Sequence, residues 1–211
     1  MKPSIATRTH AAPLSSDISI TQPRNFVLGD LIHDADTSGI AWRVRSGAVR
    51  LDRVTAGERH FAGLALDGDV IGAETLLFGR YAFEARAIGD GALEPWLAPC
   101  AAPSGENLLQ MLATTERRAA DALALRAGEA FNRVRQLFLM LAGHGNAASG
   151  RRITIPPLRD MAEMTDLTME TVSRAISHWR KSGLLLKEGR RCGRVYPTLS
   201  HTPHATLTLA A

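Results

Sequence analysis

The sequence predicts an α+β protein: an N-terminal set of short antiparallel strands, a long amphipathic helix, and a C-terminal pair of short helices followed by a β-hairpin. Three observations carry this. Between residues 25 and 95, short segments with apolar residues alternating at period two are separated by turn signals at roughly 8–12-residue spacing, the pattern of an antiparallel sandwich or barrel. From Ser104 the apolar period becomes helical. Over residues 156–183, PPLRDMAEMTDLTMETVSRAISHWRKSG, two short helical patterns flank a tight turn.

Composition bounds the function. With 211 residues, 45% hydrophobic and 22% charged, the chain has the balance of a soluble globular protein with one large or two small domains. No apolar run approaches the roughly 20 residues of a membrane span, and the N-terminus lacks the apolar core of a secretory signal, so the expected location is the cytoplasm. Cys100 and Cys192 form neither a disulfide framework nor a CxxC knuckle, and no metal site is expected. No P-loop, HExxH, GxSxG or dinucleotide fingerprint is present, so no enzymatic activity is expected. Residues 150–211 carry ten Lys/Arg against five Asp/Glu, while the preceding 149 carry fifteen against sixteen. The excess positive charge therefore lies in the last third, as for a part that meets a polyanion.

Residues 1–24 are rich in Ser, Thr, Ala and Pro and read as a tail, with a weak helical pattern over 15–21. Strands are predicted at 40–45 (IAWRVR), 48–54 (AVRLDRV), 60–66 (HFAGLAL), 82–88 (AFEARAI) and 92–95, with turns at Ser46-Gly47, Ala56-Gly57 and Asp67-Gly68. Trp42 with Val44, and Val49 with Leu51, place apolar side chains on one face. Residues 68–79, GDVIGAETLLFG, combine a glycine-punctuated turn with a short helical piece, either a pocket wall or a plain connection.

Ser104 is a suitable cap for the long helix. Leu108, Leu112, Thr115, Ala119, Ala122 and Arg126 recur at four–three spacing over about three heptads, with Leu109, Leu123 and Leu125 widening the face, which predicts pairing with a second copy. Gly128 is a candidate hinge. A second helix over 129–142 carries Phe131, Val134, Leu137, Phe138 and Leu141 on one face, ends at Gly143-His144-Gly145-Asn146, and leads into a polar loop reaching Arg152.

Pro156 and Pro157 suit a helix start, where a missing N–H costs nothing. Leu158, Met161 and Ala162 then face inward, Thr165-Asp166-Leu167 turn, and Thr168 caps a helix reaching about Ser182, with Gly183 in left-handed conformation behind it. On a helical wheel Met169, Val172, Ile176 and Trp179 fall within about one quadrant and form a buried stripe. Glu170, Ser173, Arg174, Ser177 and Lys181 fall nearly opposite. An Arg fork suits guanine O6 and N7, a Glu accepts from cytosine N4, and Ser suits several base atoms, so Glu170, Ser173 and Arg174 are the predicted base readers. Thr168, Ser177 and Lys181 are assigned to the DNA backbone. Residues 184–188 and 194–197 form a hairpin around a basic tip, whose Arg190, Arg191 and Arg194 are the predicted phosphate contacts.

The run TDLTMETVSRAISHWRKSGLL, the basic hairpin and the upstream GDVIGAETLLFG resemble the Crp/Fnr superfamily of bacterial transcription regulators. The resemblance extends over residues 25–197 and is strongest over 156–185. It implies a cyclic-nucleotide-binding-type β-roll over 25–103, a dimerisation helix over 104–127 and a winged helix-turn-helix over 128–211. Glu170-x-x-Ser173-Arg174 is similar to the Fnr-type recognition helix, which implies a TTGAT…ATCAA operator. A two-fold dimer would span half-sites about 34 Å apart. RNA polymerase is the further implied partner if the protein activates. Gly72, Glu74, Thr75, Arg80 and Tyr81 mark the implied effector pocket. The cyclic-AMP-binding members have an Arg-Ser pair there, whereas this chain reads Gly79-Arg80-Tyr81-Ala82-Phe83; Arg80 or Arg86 substitutes only if the loop rearranges, and cyclic nucleotide is not the expected ligand.

The cysteine-rich N-terminus of oxygen-sensing members is missing, which excludes their iron–sulfur cluster. Haem ligation would fall to His33 or His60, for which a core or surface role is the ordinary reading. Cys192 lies among arginines, surroundings that lower a thiol pKa, though an inert thiol is the default. The expectation is thus a homodimeric DNA-binding regulator without a bound cofactor. The alternatives are a small-molecule signalling module with secondary DNA binding, or a constitutive regulator whose sensor domain is a scaffold.

Overall fold

The computed structural model of the chain describes residues 22–96, 105–143 and 150–196, and the side chains of all of these but 105–108. The predicted tail up to residue 21, the helical pattern over 15–21, Cys100, the Ser104 cap, the Leu108 side chain and residues 144–146 lie outside that set.

Two four-stranded antiparallel sheets make the N-terminal domain. One orders β1 (Arg24–Phe26), β8 (Gly91–Pro95), β3 (Trp42–Ser46) and β6 (Val70–Ile71); the other orders β2 (Leu31–His33), β7 (Glu84–Ala87), β4 (Val49–Thr55) and β5 (Glu58–Ala65). Their facing sides bury Phe26, Ile32, Val44, Val49, Ile71, Ala85 and Leu93 in one apolar cluster. The β4–β5 hairpin closes at Thr55↔Glu58, and both Ala56 and Gly57 have positive φ, as the twist of a two-residue hairpin requires. The five predicted strands are present. The sequence pattern does not predict β1, β2 and β6, because strands of three residues or fewer are too short to show a period.

On β4, Val49 is fully buried and Leu51 half-buried, as the alternation implies, but Arg50 and Asp52 on the opposite face are buried too, at 4% and 2% exposure. The strand is covered on both sides.

The helices are α1 (Thr75–Phe78), α2 (Gly105–Ala124), α3 (Ala130–Ala142), α4 (Leu158–Thr165) and α5 (Met169–Lys181). Gly128 takes a left-handed conformation in the turn between α2 and α3. A three-stranded sheet, ordered β10 (Leu185–Lys187), β11 (Cys192–Val195) and β9 (Arg151–Thr154), completes the C-terminal part. The predicted polar loop reaching Arg152 is thus partly strand: Ile153 packs inward while Arg151 and Arg152 pair with Val195 and Arg194.

A second core cluster is continuous across the molecule. It joins Phe61, Leu64, Leu66 and Ile88 of the N-terminal domain, through Ala122 and Leu125, to Phe138, Met161, Val172, Trp179 and Leu185. Three predicted inward residues are instead exposed: Met169 at 56%, Leu158 at 41% and Phe131 at 44%. Met169 and Leu158 are first residues of their helices, where no preceding turn covers a side chain. Ala175, Met164 and Thr165 fill the interior in their place.

α2 and the turn after it lie on the N-terminal domain through Ala122, Leu125 and Arg118, whose Nε donates to Asp69 Oδ2 at 2.7 Å. Asp69 also accepts from the Leu66 backbone N–H. Of the predicted seam residues, Leu112, Thr115, Ala119 and Arg126 are exposed, and one is not. Ala122 is buried in its own chain, and the Thr115 hydroxyl donates to the Met111 carbonyl. An outward apolar stripe runs through Leu112 and Ala119 and is extended by Leu109 and Leu123.

Candidate nucleic-acid interface

α5 begins where the sequence places a cap. The Thr168 hydroxyl accepts from the Thr171 backbone N–H at 3.2 Å, and Asp166, in left-handed conformation, sets the turn from α4. Val172, Ala175, Ile176 and Trp179 bury one face of the helix, with Trp179 tilted against Phe138 at 5.6 Å between ring centroids. This packing turns Glu170, Ser173, Arg174, Ser177 and Lys181 to the outside.

Glu170 and Arg174 face each other across one turn, with Arg174 Nη2 2.6 Å from Glu170 Oε1 and both side chains about three-quarters exposed. A screened surface pair of this kind adds little stability. Its consequence is geometric, because each group orients the other at the helix edge while both stay accessible to a partner. The last turn carries His178, Arg180 and Lys181, positive charge at the negative end of the helix dipole.

Between α5 and the hairpin lies a notch of about 180 Å³. Ser173, Ser177 and Arg180 form one wall and Arg190 and Arg191 the other, over a floor that includes Ile155 and Met161. Arg180 is not among the contacts predicted from sequence. The signal was available: it lies seven residues after Ser173, close to two full helical turns and hence on the same face.

Two predicted backbone contacts are engaged within the chain. Arg194 Nε donates to Glu188 Oε1 at 2.5 Å, and its Nη1 reaches the Gly150 carbonyl, so Glu188 already compensates this charge. The Thr168 hydroxyl serves as the helix cap and also shares a hydrogen bond with the Thr171 hydroxyl. Arg190 and Arg191 are exposed at the hairpin tip. Cys192 is half-buried on β11.

The expected effector residues come together in part. Tyr81 is buried, its hydroxyl donates to the Ile40 carbonyl at 2.7 Å, and its ring stacks on His33 with 3.7 Å between centroids and 8° between planes. Two glycines make room for it: a Cβ on Gly39 would overlap the Tyr81 hydroxyl, and one on Gly72 would overlap its ring. The Thr75 hydroxyl donates to the Gly72 carbonyl, and the Glu74 carboxylate accepts from the Ala82 N–H at 3.0 Å. Arg80, by contrast, is exposed. Arg86 is held by Glu84 at 2.8 Å and by the Gly29 carbonyl. Tyr81 fills the space beside Gly39 and Gly72, and the Arg86 guanidinium is engaged elsewhere.

Burial pushes His33 down to about 4, against smaller opposing effects of the Phe83 backbone and of Asp34 and Glu84, and neither ring nitrogen has a protein hydrogen-bond partner of good geometry. His60 is exposed beside Glu58. Among the described residues no group of three or more His, Cys, Asp or Glu side chains is placed to hold a metal ion. No helix among them is long and apolar enough to cross a membrane.

Residues 132–195 match the family model of the Crp-like helix-turn-helix domain. No curated protein matches the chain by sequence. Among solved structures, FixK2 from Bradyrhizobium japonicum is 26% identical with a TM-score of 0.63, over 82% of this chain and 91% of its own. A CRP-family transcriptional regulator from Thermus thermophilus is 23% identical with a TM-score of 0.65 over the same shares, and a CRP/FNR-family regulator from that organism is 25% identical with a TM-score of 0.55, over 82% and 93%. Residues 132–195 are thus a Crp-like helix-turn-helix domain, and with the two-sheet N-terminal domain and the capped helix pair in place these matches support the Crp/Fnr superfamily of transcription regulators for the chain.

Proposed function

We propose that the protein is a homodimeric, sequence-specific regulator that enters the DNA major groove with α5 and reads bases with Glu170, Ser173 and Arg174. The observation that carries this is the outward Glu170–Arg174 pair in the first two turns of a capped helix. The same pairing on adjacent turns suits a G·C pair and its neighbour, in keeping with a TTGAT-like palindrome. Ser177, Arg180, Lys181, Arg190 and Arg191 lie on or beside the flanking notch and hold phosphates. The second copy pairs along Leu109, Leu112, Ala119 and Leu123, an apolar stripe of the type a helical seam needs. Such a regulator works in the cytoplasm and contacts RNA polymerase if it activates.

For its signal we favour effector independence, since Tyr81 supplies from within the chain the ring and the hydrogen bond that a bound ligand would bring. Neither catalysis nor a resident cofactor is part of this reading.

The test compares operator and random DNA. Arg174→Ala is expected to lose about 1–3 kcal/mol on the operator and to relax preference at one base pair. Arg190→Ala is expected to weaken both DNAs alike and to reduce the salt slope by about one. Equal losses for Arg174→Ala on both DNAs would remove the base-reading role, and a monomer in sedimentation at micromolar concentration would remove the dimer.

A further inference from the structure

We propose that Arg50, in the N-terminal domain, is a positioning residue for DNA binding: it fixes the helix pair against the β-roll and thereby sets the half-site spacing that the dimer accepts. This rests on the reading of a dimer that grips two half-sites.

Arg50 lies on β4 at 4% exposure. Its Nε donates to Asp52 Oδ1 on the same strand at 2.8 Å. Its Nη1 reaches across to α4, 2.7 Å from Glu163 Oε2 and 3.5 Å from Asp160 Oδ1. The guanidinium also lies 5.9 Å from the Phe61 ring centroid, and Arg126 approaches the same ring at 5.5 Å. Arg126 donates in turn to the Glu163 carbonyl. One helix of the DNA-binding part is therefore held by its side chains and by its backbone, from the sheet and from the segment after α2.

The chemistry of this junction differs from that of the apolar packing around it. Hydrophobic contact is non-directional and tolerates sliding. A guanidinium fork is planar and directional, and moving it out of register strands buried charges. Burial alone would lower the Arg50 pKa, but Asp52 and Glu163 outweigh that and hold it above its ordinary value. The two α4 carboxylates are not equivalent. Burial would raise both, but bonds from Arg50 and Arg159 bring Glu163 below its ordinary value, while Asp160, farther from Arg50, stays raised. Glu163 is the principal partner.

The junction also completes a mechanical path. The α2 seam is tied to the β-domain by Arg118 on Asp69, the domain to α4 by Arg50, and α4 to α5 by the turn at Asp166. In a two-fold dimer, the separation of the two α5 helices depends on every link in that path.

The experiment measures binding of the full chain to operators with identical half-sites and a spacer changed by one or two base pairs. Wild type is expected to prefer one spacer by about tenfold or more. Arg50→Met and Glu163→Gln are expected to bring that preference to within about threefold, while the base preference at the half-site stays as in wild type, and Arg50→Lys is expected to restore part of it. A merely structural role would lower affinity for all spacers by one factor. If Arg50→Met does not fold, Glu163→Gln decides, since that carboxylate is 40% exposed and its amide keeps the shape. Wild-type spacing preference in a folded variant overturns the proposal, as does a wild type that selects half-sites but accepts every spacer. A wild type that does not select half-sites overturns the dimeric reader, and this inference with it.

Discussion

The cleft of the β-roll and the outer face of α5 are both lined with polar side chains, yet they are completed in opposite ways. In the cleft the polar groups are turned to the chain itself: Tyr81 bonds Ile40, Thr75 bonds Gly72, Glu74 bonds the Ala82 N–H, and His33 lies buried against the tyrosine ring. On α5, Glu170 and Arg174 face each other and solvent, and the neighbouring Ser173, Ser177 and Arg180 border an open notch. For Tyr81, Thr75 and Glu74 a ligand would have to replace bonds already made, whereas the buried His33 nitrogens have no hydrogen-bond partner of good geometry. A region whose donors and acceptors face solvent can exchange water for a partner.

The largest effect should come from the packing that holds the open face outward. Trp179→Ala is expected to cost about 3–5 kcal/mol, which for a chain of this size lowers the midpoint of thermal unfolding by on the order of 10 °C. Because the core is continuous from Phe61 to Trp179, loss should be seen in one cooperative transition. Two separate transitions, with only one of them moved, would break the description of a shared core.

The next effect tests whether the cleft is closed. Folded His33 takes up a proton less readily than the unfolded chain, so its contribution is intact above its ordinary value of 6.5 and is lost as pH falls toward about 4. The decline over that window should be roughly 3 kcal/mol at most, and His33→Phe should remove it. Urea unfolding at steps of about one pH unit across the window measures it. Identical pH profiles for the two proteins would mean that water reaches the cleft and that the contrast with α5 is lost.

The smallest effect separates support of the open face from direct contact. Thr168→Ala is expected to cost about 1 kcal/mol by removing the N-cap. If operator affinity then falls by much more than stability, Thr168 touches the DNA backbone as well as capping the helix.

Much of the reading helix is legible without the fold. The Thr168 cap, the Val172–Ile176–Trp179 stripe and the outward Glu170, Ser173 and Arg174 all follow from local hydrogen bonding and a 3.6-residue period, which need no distant partner. The wheel misplaces Met169 because it has no ends: it assigns a face to the first residue of a helix, although no preceding turn covers it. The heptad pattern puts Ala122 on the outward face, although it is buried in its own chain, because the apolar residues of that helix outnumber one face. Which of them turn outward depends on Ala122 and Leu125 packing on the β-domain and on Arg118 reaching Asp69.

By itself, then, the sequence determined the order of the five predicted strands and of the helices, the two-residue hairpin turn at Ala56-Gly57, the helix-turn-helix and its polar edge, since each is written in residues close together in the chain. Only the tertiary structure decided that Tyr81 fills the cleft, that Arg194 is compensated by Glu188, and that Arg50 and Asp52 are buried on the far face of β4. Of the Arg50 partners on α4, Asp160 lies 110 residues away along the chain and Glu163 farther still, and no periodicity reaches that far. A charged residue in a strand looks solvent-facing until another element brings the carboxylates that allow its burial.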